Sequence, residues 1–120
     1  MKFITKTIHA YLDYPVAIAL MAFPFVFGLG SSNLVALQLS VATGIAAFIL
    51  TLLTDHQLGV YKIIPYKIHL LVDAIVGVVF VAAPIVFSFK GIDAIYYWIV
   101  GATVLTVVSL HKSEVVISNV

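Results

Sequence analysis

Cysteine and arginine are both missing from this 120-residue chain, and charged residues of any kind are scarce. Without cysteine the chain forms no disulfide and holds no thiolate-ligated metal or all-cysteine iron–sulfur cluster. Charged residues make up 9% of the chain, whereas a soluble domain carries roughly a quarter. A net charge of +1 gives no basis for expecting a nucleic-acid partner. These absences argue strongly against a soluble protein.

In place of charge, the chain has four long apolar runs, and 63% of its residues are hydrophobic. A membrane-spanning helix needs about 20 predominantly apolar residues, so four helices with short loops account for the whole chain. The predicted helices cover about residues 7–29, 33–54, 66–89 and 93–112. The sequence therefore predicts an all-α bundle of four transmembrane helices, a single membrane domain over residues 1–120 in contact with the lipid bilayer.

The lysines predict how this bundle is oriented. Five of the six fall on the side that holds both termini and the middle loop: Lys2, Lys6, Lys62, Lys67 and Lys112, against Lys90 on the other side. Because positive residues stay cytoplasmic, the N- and C-termini are expected inside the cell. Tyr96, Tyr97 and Trp98 would then lie near the outer interface, where amphipathic rings are favoured.

The two halves of the chain repeat each other. His9-x-x-x-Asp13 matches His69-x-x-x-Asp73, and residues 22–27 match residues 82–87 at the same offset. The predicted repeats are about residues 7–56 and about residues 66–112. Each hairpin begins and ends on the same side, so the repeats are parallel and would be related by a pseudo-two-fold axis along the membrane normal.

Residues 58–73, the duplicated hairpin and a proline deep in the first helix of each half are together similar to a known family. In these features the chain resembles the small bacterial and archaeal membrane proteins with SPW repeats. Phe23-Pro24-Phe25 and Ala83-Pro84-Ile85 stand where that family has Ser-Pro-Trp. The resemblance implies a four-helix protein of a prokaryotic cell membrane, and it implies no activity.

All four histidines and three of the aspartates fall at the predicted cytoplasmic end: His9, His56, His69 and His111, with Asp13, Asp55 and Asp73. Residues four apart on a helix share a face, and imidazole and carboxylate are good ligands for zinc, iron or manganese. We therefore predict a polar site that binds a divalent metal ion. The two His-x-x-x-Asp pairs form its core, and His56, His111 and Asp55 lie nearby.

Other interpretations of these residues remain open. Taken singly, each histidine could be an interfacial residue, and each aspartate near a helix start could complement the helix dipole. A b-type haem could use His9 with His69, or His56 with His111, although the histidines lie at helix ends and no arginine is present for the propionates.

Two further functions fit the size of the chain less specifically. It could be a non-catalytic structural or accessory subunit, or a small four-helix exporter, although exporters of that type use a carboxylate in the membrane interior. No strong catalytic motif is present, so the sequence does not decide whether the protein is an enzyme. A small apolar bundle could also form homo-oligomers.

Overall fold

The computed structural model of the chain describes residues 5–56 and 58–110, and these residues form four helices and no strand. The helices are α1 (Lys6–Val26), α2 (Val35–Leu53), α3 (Tyr66–Val86) and α4 (Ile92–Ser109). α1 packs along α2 and α3 packs along α4, so the fold is a bundle of two helical hairpins. Each helix is long and apolar enough to cross a membrane. The prediction of an all-α, four-helix bundle is confirmed.

α1 and α3 end earlier than the sequence predicts, and both end in the same way. The N–H of Leu29 donates to the carbonyl of Pro24 at 2.8 Å, and the N–H of Phe89 donates to that of Pro84 at 2.9 Å. Gly28 before Leu29 has a φ of 65°, in the left-handed region that glycine enters without strain. Ser88 takes the equivalent conformation with a φ of 55°.

Pro24 lies inside α1 and leaves the carbonyl of Leu20 without its usual helical partner. The hydroxyl of Ser40 in α2 donates to this carbonyl at 2.8 Å. Because that bond uses the only hydroxyl hydrogen of Ser40, the hydroxyl of Tyr96 in α4 must donate to Ser40 Oγ, 2.8 Å away. A buried chain of hydrogen bonds therefore connects α4 to α2 and α2 to α1.

The aromatic core between the two hairpins is centred on Tyr97. Its ring stacks on Phe80 of α3 with centroids 4.5 Å apart, and its hydroxyl donates to the carbonyl of Ala36 in α2 at 2.7 Å. Tyr96 and Tyr97 are 7% and 0% exposed. Their side chains thus join the hairpins inside the bundle, while the neighbouring Trp98 is 46% exposed.

Asp93, at the start of α4, connects the second hairpin by hydrogen bonds to the loop between α1 and α2. Its carboxylate is fully buried. It accepts hydrogen bonds from the N–H groups of Gly30 (2.9 Å), Ser32 (3.0 Å) and Asn33 (3.4 Å), and from the hydroxyl of Ser32 (2.5 Å). Four donors satisfy one carboxylate, which explains how a charge is tolerated at this buried position.

Candidate metal site

Four side chains converge at the opposite end of the bundle, where α1 and α3 begin. His9, Asp13, His69 and Asp73 each offer a ligand atom, and these atoms all lie within 4.8 Å of one another. His9 Nε2 is 2.9 Å from Asp13 Oδ1 and 2.9 Å from Asp73 Oδ2. His69 Nε2 is 3.3 Å from Asp73 Oδ2 and 3.4 Å from Asp13 Oδ2. Each carboxylate therefore faces the histidine of its own helix and that of the other.

The local sequence explains how each helix presents its pair. Thr5 caps α1, because its side-chain oxygen accepts a hydrogen bond from the N–H of Ile8 at 3.1 Å. Pro65 precedes α3, where its missing N–H leaves no donor unsatisfied. Both helices are regular from their first turn, so residues i and i+4 lie on one face. His9 and His69 are both buried at this face.

Thr54, at the end of α2, fixes which nitrogen of His69 carries a hydrogen. Its hydroxyl donates to the carbonyl of Leu50 at 2.6 Å and lies 2.6 Å from His69 Nδ1. A hydroxyl has a single hydrogen, so His69 Nδ1–H must be the donor to Thr54 Oγ1. The lone pair of a neutral His69 is then on Nε2, which points at the two carboxylates. This is the arrangement in which an outer hydrogen bond orients a metal-binding imidazole.

The loop between α2 and α3 folds back over the end of α2. The N–H groups of Ile63 and Ile64 donate to the carbonyl of Leu53 at 2.9 and 2.8 Å, so this C-terminal carbonyl of the helix is satisfied. The hydroxyl of Tyr14 in α1 donates to the carbonyl of Leu58 at 2.6 Å. A Cβ on Gly59 would lie 1.9 Å from the carbonyl oxygen of Thr54. The path of the loop therefore requires glycine here.

This loop carries a third imidazole to the site. His56 is 2% exposed, and its Nε2 lies 3.4 Å from Asp13 Oδ2. Within the described residues, Asp13 Oδ2 and both ring nitrogens of His56 have no hydrogen-bond partner. Burial lowers the pKa of the His56 imidazole from its ordinary value, an effect that the charge of Asp13 opposes. Burial thus disfavours the charged form of this imidazole, which stands in front of a carboxylate.

Tyr66 lies against all three imidazoles. The centroid of its ring is 6.0 Å from that of His9, 6.2 Å from that of His56 and 6.3 Å from that of His69. The ring stacks on His69 and meets His9 edge-on. An aromatic side chain in this position restricts the rotamers of the histidines and reduces the access of water to them.

Among the predicted site residues that the structure describes, Asp55 is not brought to the site. Asp55 follows α2 directly, but its side chain is exposed, and it is not one of the four grouped residues. His111 lies outside the described residues. The sequence also gave no indication of the part played by Thr54, because a threonine at a helix end has many structural uses.

The four grouped atoms could hold a metal ion. Ligands about 2.0–2.2 Å from a tetrahedral ion are about 3.3–3.6 Å apart. The nitrogen–oxygen distances here, 2.9–3.4 Å, already lie near that separation. The remaining ligand atoms of the group lie within 4.8 Å of one another, so their side chains would draw closer together around an ion.

Comparison with protein-family models, with curated proteins and with solved structures finds no match for the chain. The resemblance to SPW-repeat proteins therefore stays a prediction. The function has to be argued from the geometry of the site and the surface of the bundle.

Proposed function

We propose that this chain is an integral membrane protein that binds one divalent transition-metal ion through His9, Asp13, His69 and Asp73. The observation that carries the proposal is the convergence of two imidazoles and two carboxylates, with Nε2 of His69 directed at the carboxylates by Thr54. Imidazole and carboxylate together suit zinc, iron and manganese. Binding sites of this composition are built from facing helices in other bundles.

The outer surface of the bundle supports the membrane assignment. Large apolar side chains on all four helices are exposed, among them Ile18, Phe25, Ile49, Ile85 and Ile99 at 49% or more. A soluble monomer rarely exposes such continuous apolar surface, whereas a lipid-facing helix requires it. The exposed Lys62 and Lys67 lie at the metal end, and Lys90 lies at the other. By the positive-inside rule the metal end faces the cytoplasm.

The repeat is part of the proposal as well. α1 and α3 have 21 residues each, place their His-Asp pairs at equivalent positions and end in equivalent hydrogen bonds. A pseudo-two-fold axis along the membrane normal would bring such pairs together from both halves. In this view the metal ion lies near the axis and joins the two hairpins.

The two carboxylates also need a cation on energetic grounds. Asp13 and Asp73 lie within helices apolar enough to span a membrane, where an uncompensated charge costs several kcal/mol. No lysine forms an ion pair with either carboxylate among the side chains that the structure describes. The compensating charge is then either protons on the histidines or a bound metal ion.

Elemental analysis of the protein purified in detergent tests the proposal. After exposure to zinc, iron(II) or manganese(II) and removal of free ions, we expect about one ion per chain. His69→Ala and Asp73→Asn should each abolish retention. Asp55→Asn is the matched control, because it removes an exposed carboxylate next to the site and should keep the ion.

Two results would contradict metal binding. One is equal metal content in His69→Ala and the unaltered protein. The other is a Soret absorption band in the purified protein, which would show a haem in place of a hydrated metal ion. The observed contacts oppose haem, because the carboxylates of Asp13 and Asp73 lie between the Nε2 atoms of His9 and His69, where a porphyrin would have to fit.

A further inference from the structure

We infer that His56 is a fifth metal ligand and that the site therefore selects a first-row divalent ion that accepts five or six ligands, such as manganese(II), iron(II) or cobalt(II), over tetrahedral zinc. This inference rests on the proposed metal-binding function. It goes further by adding a residue outside the four-residue group and by specifying the class of ion.

The burial of His56 is the first reason. An imidazole that is 2% exposed, with neither ring nitrogen hydrogen-bonded in the described part of the chain, carries an unrecovered desolvation cost. Its Nε2 lies 3.4 Å from Asp13 Oδ2, which also lacks a hydrogen bond. An ion placed between the carboxylates would give both atoms a partner. The nearest described groups leave both atoms with long contacts, since His56 Nε2 and His69 Nε2 are each 3.4 Å from Asp13 Oδ2.

The position of His56 shows how it would reach the ion. It lies outside the group whose atoms are all within 4.8 Å of one another, so it has to move slightly inward to bind. His56 belongs to the loop between α2 and α3 and not to a helix. The movement is then one of the His56 side chain, because hydrogen bonds from the N–H of His56 to the carbonyl of Thr54 (2.9 Å) and from the N–H of Gly59 to the carbonyl of His56 (3.1 Å) hold the backbone.

The number and kind of donors then point to the class of ion. Three imidazole nitrogens and two carboxylates give at least five ligands, whereas zinc in structural sites takes four. Calcium and magnesium prefer oxygen ligands throughout, so a set with three nitrogens disfavours them. Manganese, iron and cobalt ions accept five or six ligands of this mixed kind.

Charge balance restricts the ion to a divalent one, and the number and kind of donors make the choice among divalent ions. Asp13 and Asp73 contribute two negative charges, and three neutral imidazoles contribute none. A divalent ion makes the site neutral, whereas a monovalent or trivalent ion leaves a net charge at the edge of an apolar bundle, which is costly. Asp55 does not alter this balance, because it is exposed and outside the group.

Cobalt(II) alone is a suitable probe, because its visible absorption is weak with five or six ligands and strong with four. We expect the cobalt-loaded protein to show weak bands and His56→Ala to show strong bands at the same cobalt content. Asp55→Asn, the neighbouring change in the same loop, should leave the spectrum as it is. The ratio of zinc affinity to manganese affinity should also be at least about tenfold higher in His56→Ala than in the unaltered protein. The reason is that zinc with four ligands does not use the fifth ligand that this change removes, whereas manganese does.

X-ray absorption of the cobalt-loaded, unaltered protein provides a measurement that does not depend on a variant folding. Three imidazoles around the ion would support the inference, and two would overturn it while leaving metal binding intact. Identical cobalt spectra for His56→Ala and the unaltered protein would overturn it in the same way. If the unaltered protein retains no metal at all, the proposed function fails together with this inference.

Discussion

Thr54 offers the sharpest test of the site, because it contacts the proposed metal ligand His69 without being a proposed ligand itself. Thr54→Val keeps the shape of the side chain and removes the oxygen that accepts a hydrogen bond from His69 Nδ1 at 2.6 Å. Outer-shell partners of this kind are typically worth 10–100-fold in metal affinity. That range corresponds to about 1.4–2.7 kcal/mol. We therefore expect the affinity of Thr54→Val for manganese or cobalt to fall by this factor.

The chain contains a close control one helical turn earlier. The hydroxyl of Thr51 donates to the carbonyl of Ala47 at 2.8 Å, as that of Thr54 donates to Leu50. Thr51 is also buried, at 1% exposed, and no hydrogen bond joins it to a histidine in the described structure. Thr51→Val should therefore lower the free energy of unfolding by a comparable amount while leaving metal affinity within about twofold.

The assay is a metal titration against a chelator of known affinity, run in parallel on both variants. Thermal unfolding of the metal-free proteins gives their stabilities separately. Thr54→Ser, which restores the hydroxyl, should recover most of the lost affinity. Equal metal affinities for Thr54→Val and Thr51→Val would refute the role of Thr54 in orienting His69.

Three further predictions concern the loop, the far end and the orientation of the bundle. Gly59→Ala would place a Cβ 1.9 Å from the carbonyl oxygen of Thr54, so the loop between α2 and α3 would have to move. We therefore expect this variant to have a lower melting temperature and at least about tenfold weaker metal binding. Asp93→Asn replaces one carboxylate oxygen by an N–H₂ group, which then faces Gly30 N–H or the three donors from Ser32 and Asn33; it should cost about 1–3 kcal/mol in unfolding measurements, with metal content unchanged. Single cysteines replacing Lys62 and Lys90 should react with an impermeant thiol reagent from opposite sides of the membrane, because the chain has no cysteine of its own.

Each of these predictions has an outcome that would count against it. Val60→Ala, an exposed change in the same loop as Gly59, should have little effect, and an equal loss in both variants would exclude a specific steric cause. Metal loss in Asp93→Asn would show that the two ends of the bundle are not independent. Labelling of Lys62→Cys and Lys90→Cys from the same side would exclude the four-span topology.

The parts of the structure that the sequence could predict are those governed by local periodicity. Apolar runs of about 20 residues indicate helices whatever their surroundings, and the spacing of His69 and Asp73 places both on one face of α3. The predicted ends of α1 and α3 were less accurate. The turns after these helices depend on residues in the left-handed conformation, and Ser88 is not a residue type that marks such a turn.

The parts that could not be predicted depend on partners distant in the chain. Asp93 looks like an acid that complements the dipole of α4, while its actual donors lie in the loop between α1 and α2. Asp55 and His56 are adjacent in sequence, yet one is exposed and the other buried. The difference arises from the path of the loop over α2, which the spacing of polar residues does not encode.

Because hydrogen bonds to Asp93 hold one end of the bundle, the two ends would respond differently to loss of the proposed metal ion. Its hydrogen bonds to the loop between α1 and α2 involve no metal, so that end acts as a fixed hinge. At the other end, Asp13 and Asp73 would repel each other if neither a metal ion nor protons on the histidines compensated their charges. α1 has 21 residues and is therefore about 30 Å long. A rotation of one hairpin by about 4° about the hinge would move the ends that carry Asp13 and Asp73 about 2 Å apart. Occupancy of one ion would in this way set the angle between two otherwise rigid hairpins, a change that distances between paired spin labels can follow.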